Sequence, residues 1–173
     1  IMTIIDKEIG TVKLYPLTGR RDVEDRWKQF KQWIGVMSPY IEAKMHVKPE
    51  IRIVASDRGS EFMTTYGRSM NTFDQLLHDD GVSRWSPTPG NSNKMGKIER
   101  FNRTMMESVN VMLRRGGAKN IYAYDAAMFF EYHYNIAPTD ANIIGKGEAP
   151  FTTLGIPVDY KKLVRFFCPA YVS

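Results

Sequence analysis

The chain begins with an apolar run, Ile1–Ile5, then a polar stretch, Asp6–Gly10, then Thr11–Leu17 with Val12, Leu14 and Pro16 on one side. A short apolar run and an alternating run joined by polar residues predict a hairpin. Val23, Trp27, Phe30, Ile34 and Met37 follow at steps of three and four, the spacing of one buried helical stripe, with Asp22 placed as N-cap and Asp25 in the first turn. Ser38-Pro39 interrupts that pattern, so a second short helix to about Val47 is expected, proline being favourable in a first helical turn. In Ile51–Ser56 the residues Ile51, Ile53 and Ala55 alternate with Arg52, Val54 and Ser56, a strand that leads into Asp57. A helix from about Met70 to His78, a short strand Val82–Ser86 and a loop from Pro87 to Gly96 come next. From Lys97 a longer helix shows one apolar face (Ile98, Phe101, Met105, Val109, Met112, Leu113) and stops at Gly116-Gly117. Ile121–Ala137 reads as a helix apolar on most sides and closed by Pro138.

The order hairpin, helix, strand, helix, strand, long helix, helix predicts an α/β fold, a mixed sheet covered by helices. No repeat and no Ser/Gly linker divides it. One domain, residues 1–147, is expected, with an aromatic and basic extension over 148–173.

Composition narrows the function classes. A chain of 173 residues fits one compact domain, and its 43% hydrophobic content excludes a disordered segment. No apolar stretch approaches the roughly 20 residues that span a bilayer, so no membrane partner is expected. No signal peptide precedes Asp6-Lys7-Glu8, and an opening at Ile1 inside a strand suggests a piece of something longer. Cys168 alone excludes a disulfide framework, and His46, His78 and His133 are too scattered to suggest zinc. The net charge of +5 says little, but its placement says more. Seven basic residues against two acids lie between Lys94 and Lys119, a run that suits a solvated helix face as well as a nucleic-acid surface.

Two carboxylates stand out by position. Asp57 follows an apolar strand and precedes Arg58-Gly59, where α/β sheets bind ligands. Glu99 falls in the first turn of the long helix, just after a loop. Hard divalent cations take oxygen ligands of this kind, and two such ions about 4 Å apart can activate a nucleophile and stabilise a leaving oxygen on phosphorus. Helix capping or plain solvation explains either acid equally well.

The surrounding residues add a resemblance. Ser56-Asp57-Arg58-Gly59-Ser60-Glu61-Phe62 resembles the segment around the second catalytic aspartate of retroviral-type integrases, especially those of copia-type LTR retrotransposons. Gly96-Lys97-Ile98-Glu99-Arg100-Phe101-Asn102-Arg103-Thr104 is similar to the segment that carries their catalytic glutamate. Val12–Leu17 resembles the strand after the family's first aspartate strand, and Val164–Val172 the tail that runs on toward reverse transcriptase. The resemblance implies a ribonuclease H-like fold in which Asp57 and Glu99 are catalytic and metal ligands, holding two Mg²⁺ (or Mn²⁺) ions with a further aspartate. It implies 3′-end processing and strand transfer of the element's DNA. Lys94, Lys97, Arg100, Asn102 and Arg103 would then meet DNA, and further copies of the chain would be partners. The implied site of action is the nucleus, with a cytoplasmic particle stage for the parent element.

Two departures accompany the likeness. The Asp57–Glu99 spacing is longer than the family's, the excess falling near Met63–Met70, where a loop tolerates extra length at small cost. The first aspartate has no counterpart: Asp6 lies one strand too late, so that ligand is expected upstream of Ile1 and this piece alone is expected to be inactive. A degenerate or domesticated DNA- or protein-binding module without catalysis is the alternative, and a related nuclease that never joins DNA is a third.

Overall fold

The computed structural model describes residues 1–19, 22–56, 72–85, 96–160 and 163–167. The chain is mixed α/β, with helices and two small two-stranded sheets. In chain order the elements are β1 (Met2–Ile5), β2 (Val12–Tyr15), α1 (Asp22–Met45), β3 (Ile53–Ala55), α2 (Thr72–Asp79), β4 (Ser83–Trp85), α3 (Gly96–Gly116), a 3-10 turn (Asn120–Tyr122), α4 (Ala123–Ile136) and α5 (Pro150–Thr153). They gather into two compact units. The first holds Ile1–Met2 and Leu17–Gly96; the second holds Thr3–Pro16 and Lys97–Ser173.

In the first unit α1 lays Val23 and Trp27 against Phe73 and Leu77 of α2 and against Val82. The Trp27 ring meets Phe73 edge-on at 6.0 Å and Phe30 at 5.8 Å, and its indole N–H donates to Asp80 at 2.8 Å. Burying each of these large side chains contributes about 1.5–3 kcal/mol. The expected break at Ser38-Pro39 is absent: α1 is one helix through Pro39 to Met45. Proline removes the bond to the Gly35 carbonyl, but Ile41, beyond it, is buried and holds the second half in register. Asp22 also differs from its expected use. Its carboxylate accepts from Thr18 N–H, Thr18 O–H and Gly19 N–H, tying down the preceding turn, and these bonds hold its carboxyl below the usual range.

Strands β3 and β4 pair in parallel, Val54 opposite Arg84, and α2 lies on the connection between them. Within Ile51–Ser56 the alternation does not hold throughout: Ile51 and Val54 both pack on the Trp27 core and Ser56 is buried, whereas Ile53 in the strand itself is 67% exposed.

The second unit is built on the β1–β2 hairpin. One face of α3 (Phe101, Met105, Val109, Leu113) packs with Val12 and Leu14 of β2 and with Ala126 and Ala127 of α4, as the apolar period predicts. Phe101 meets Tyr134 at 4.9 Å and Phe130 at 5.8 Å. The helix ends where expected. Gly117 takes φ +63°, and Ala118 N–H reaches back to the Leu113 carbonyl at 2.9 Å, closing a glycine C-cap.

Helix α4 is less apolar toward its neighbours than its sequence suggests, because it buries Glu131 and Asn135. Asn135 accepts from Val12 N–H and donates to the Val12 carbonyl, both at 2.8 Å. Glu131 accepts from Leu14 N–H at 2.7 Å and pairs with the Lys13 ammonium. Four helical residues rise about 6.0 Å and two strand residues about 6.7 Å, so residues 131 and 135 can face residues 14 and 12. Two side chains thus satisfy the strand's outer groups in place of another strand.

After α4, Asn142 is buried and organises the chain around it, donating to the Glu148 carbonyl and Thr153 Oγ1 and accepting from Gly145 N–H. Ala149, Phe151, Leu154 and Ile156 are buried, so residues at the start of the 148–173 extension pack into the second unit.

Candidate active site

The run Gly96–Thr104 opens α3, and the fold sorts its polar side chains into two kinds. Lys97 is an anchor. Its ammonium donates to the carbonyls of Asp6 (3.2 Å), Lys7 (2.5 Å) and Ala141 (2.9 Å), fastening the helix start to the β1–β2 turn and to the chain after α4. Burial pulls its pKa below the usual lysine value, against the opposing charges of Asp6 and Glu8. Asn102 is the second anchor, its Oδ1 accepting from the Thr3 hydroxyl of β1 at 2.9 Å.

Glu99, Arg100 and Arg103 are of the other kind. All three are exposed, and none makes a hydrogen bond or ion pair among the described residues. Glu99 sits in the first helical turn, where the positive end of the helix dipole favours a carboxylate. Arg103 lies one turn further along the same face. A free carboxylate beside free guanidiniums can bind a cation or a phosphate-bearing partner.

Of the residues singled out in the sequence, Asp57 and Lys94 lie outside the described residues, as does Met63–Met70. The residue before Asp57 in the chain is held by its neighbours. Ser56 is buried, its N–H donates to the Trp85 carbonyl at 3.1 Å, and its Oγ accepts from Arg84 Nε at 3.0 Å. Arg84 also pairs with Asp74 at 2.6 Å. Asp6 is committed to its own turn, accepting from the N–H groups of Glu8 and Ile9. Among the described residues no three His, Cys, Asp or Glu side chains are grouped to hold a metal ion. No described helix is long and apolar enough to cross a membrane.

Sequence reasoning missed four polar side chains with clear structural work: Glu131, Asn135, Asp80 and the buried Asn142. Glu131 and Asn135 sit in a stretch whose apolar neighbours masked them. Asp80, one of a pair of surface-like acids, receives both Trp27 Nε1 and Lys31 Nζ. The one available signal was a polar residue recurring at i, i+4 within the apolar α4 run. No family model matches the chain, and no curated protein matches it.

Proposed function

We propose that the chain is part of the catalytic core of a retroviral-type integrase of the copia class, with a ribonuclease H-like fold, acting in metal-dependent phosphoryl transfer on DNA. The observation that supports this reading most is the division within Gly96–Thr104. Lys97 and Asn102 are spent on holding the helix start, which leaves Glu99, Arg100 and Arg103 standing free at one end of α3.

On this reading Glu99 and Asp57 supply two of the carboxylates that hold a pair of Mg²⁺ or Mn²⁺ ions. When bound, such ions lower the pKa of an attacking oxygen and neutralise charge on the leaving one. Glu99, exposed and unpaired, has lone pairs available for that purpose. Arg100 and Arg103 hold the DNA backbone, giving salt-dependent affinity with little sequence preference. Lys97 belongs to the scaffold and positions Glu99 by fixing the helix start. The partners are DNA ends, target DNA and further copies of the chain, acting in the nucleus.

The test supplies a duplex with a free 3′-OH and a separate target to the chain extended by the residues encoded before Ile1, with Mg²⁺ or with chelator. Joined product that needs Mg²⁺ and disappears in Glu99→Gln, with DNA binding retained, is the expected result. Cleavage without joining would favour a nuclease. DNA binding with neither reaction would favour a binding module, and unchanged joining by Glu99→Gln would remove Glu99 from the site.

A further inference from the structure

The far end of α3 carries a second feature that the transfer reaction does not use. Sixteen residues separate Glu99 from Arg115, about 24 Å along the helix at 1.5 Å per residue. There, a cavity of about 360 Å³ opens between the last turns of α3, the middle of α4 and the segment around residue 165. Its floor is apolar (Met112, Phe129, Phe166), and its polar groups are the Arg115 and Arg165 guanidiniums and the His133 imidazole. No acid lines it. Neither guanidinium makes a hydrogen bond or ion pair among the described residues.

The wall is shaped by a close approach. Gly116 lets Phe167 pass over the helix end, since a Cβ at Gly116 would lie 3.0 Å from Phe167 Cβ. Phe167 packs in turn on Tyr122 at 5.2 Å and on Phe166 at 6.0 Å, laying that segment across α3. Phe129 packs against Phe166 at 5.4 Å and against His133 at 4.0 Å. His133 Nδ1 is bonded to the Phe129 carbonyl at 2.8 Å, so Nδ1 carries the proton and Nε2 is the ring nitrogen left for a ligand.

We infer that this cavity is a docking site for a short acidic peptide segment of a partner protein, one that places an apolar side chain on the Met112–Phe129–Phe166 floor and carboxylates on Arg115 and Arg165. Guanidiniums match carboxylates in a forked geometry, and a mostly apolar cavity with a few convergent polar groups is the usual form of a binding pocket. The volume is at the small end of such pockets, enough for a side chain or two. A nucleobase suits the site less well, because base binding rests on open aromatic faces, whereas the Phe129 ring is already packed on His133 at 4.0 Å and on Phe166 at 5.4 Å. The inference stands apart from the transfer reaction: a partner held here leaves the Glu99 end of α3 open.

The probe is a fluorescein-labelled peptide with a Leu-Phe pair set between aspartates, titrated against the full chain by fluorescence anisotropy. Two control peptides replace either the aspartates by asparagine or the Leu-Phe pair by serine, and a single-stranded oligothymidine serves as competitor. Binding that falls at least tenfold in Arg115→Glu/Arg165→Glu, and at least tenfold for each control peptide, supports the site. Both arginines are exposed and unpaired, so circular dichroism should show the variants folded. Arg165→Glu alone, outside any helix, gives the same reading should the double variant unfold. No measurable binding, equal binding by the serine peptide, or equal binding by both variants overturns the proposal. Binding of the oligothymidine at the arginines with none of the peptide would assign the patch to nucleic acid instead and overturn it equally.

Discussion

Lys97 and Arg103 look interchangeable in the sequence, as two basic residues six apart in one helix, yet their side chains do different things. Replacing Lys97 by Met removes three hydrogen bonds to main-chain carbonyls, and the expected cost is about 1–2 kcal/mol, measured by urea unfolding. Arg103→Ala touches no partner and should change stability by less than about 0.5 kcal/mol. It should instead weaken DNA binding and flatten its salt dependence by roughly one phosphate contact, read from affinity against salt concentration. The sequence made the basic run legible but not this division of labour. Which carbonyls surround an ammonium depends on residues 6, 7 and 141, which no local pattern around position 97 can report. Asp6 was legible for the opposite reason. Its acceptors' partners are two and three residues away, and a short polar link between strands already calls for such a turn.

At the level of elements, periodicity revealed α3 almost to its ends, because one stripe of apolar residues and a glycine stop agree with each other. It failed at α1, where a local breaker was outweighed by a contact from elsewhere: Ile41 is buried, and the helix runs on through Pro39. Pro39→Ala should therefore stabilise the protein, by up to about 3 kcal/mol, with a higher thermal midpoint followed by circular dichroism at 222 nm. Strand β3 shows a related failure. Alternation identified the strand but could not choose its inward face, since Ile53 and Val54 are equally apolar and only the packing against Trp27 decides. In α4, Asn135→Leu keeps the branched shape and heavy-atom count but leaves Val12 N–H and C=O without their partners. A loss of about 1–3 kcal/mol is expected in denaturant titration, larger than for most polar-to-apolar changes on a helix.

Across the whole molecule the two units carry acids that respond to pH with opposite sign. In the first, burial opposes ionisation of Asp80, but hydrogen bonds from Lys31 and Trp27 and the Lys31 charge outweigh it and set its carboxyl below the ordinary 3.8. Its stabilisation is complete above that value and is lost as pH falls through the folded one. In the second, burial raises Glu131 above the ordinary 4.5, only partly offset by Lys13 and Leu14 N–H. Stability there declines as pH rises from the ordinary value through the raised one and is regained on acidification. Hydrogen exchange followed from about pH 5 to 3 should therefore show α2 and the Trp27 region losing protection before β2 and α4 do. Asp80→Asn should remove most of that difference. Uniform loss of protection in both units would contradict the assignment.

The clasp between α4 and β2 has a natural length limit. A helix advances about 6.0 Å in four residues and a strand about 6.7 Å in two, so the two rulers drift by about 0.7 Å at every rung and soon fall out of step. Two rungs, at 135 with 12 and at 131 with 14, fit within that drift. The third would set residue 127 against residue 16, and there the chain has an alanine facing a proline, a residue with no N–H to satisfy. The series stops where its geometry would start to fail. Along those two rungs, any foreign strand seeking to join the hairpin would first have to displace a buried carboxylate and a two-way amide.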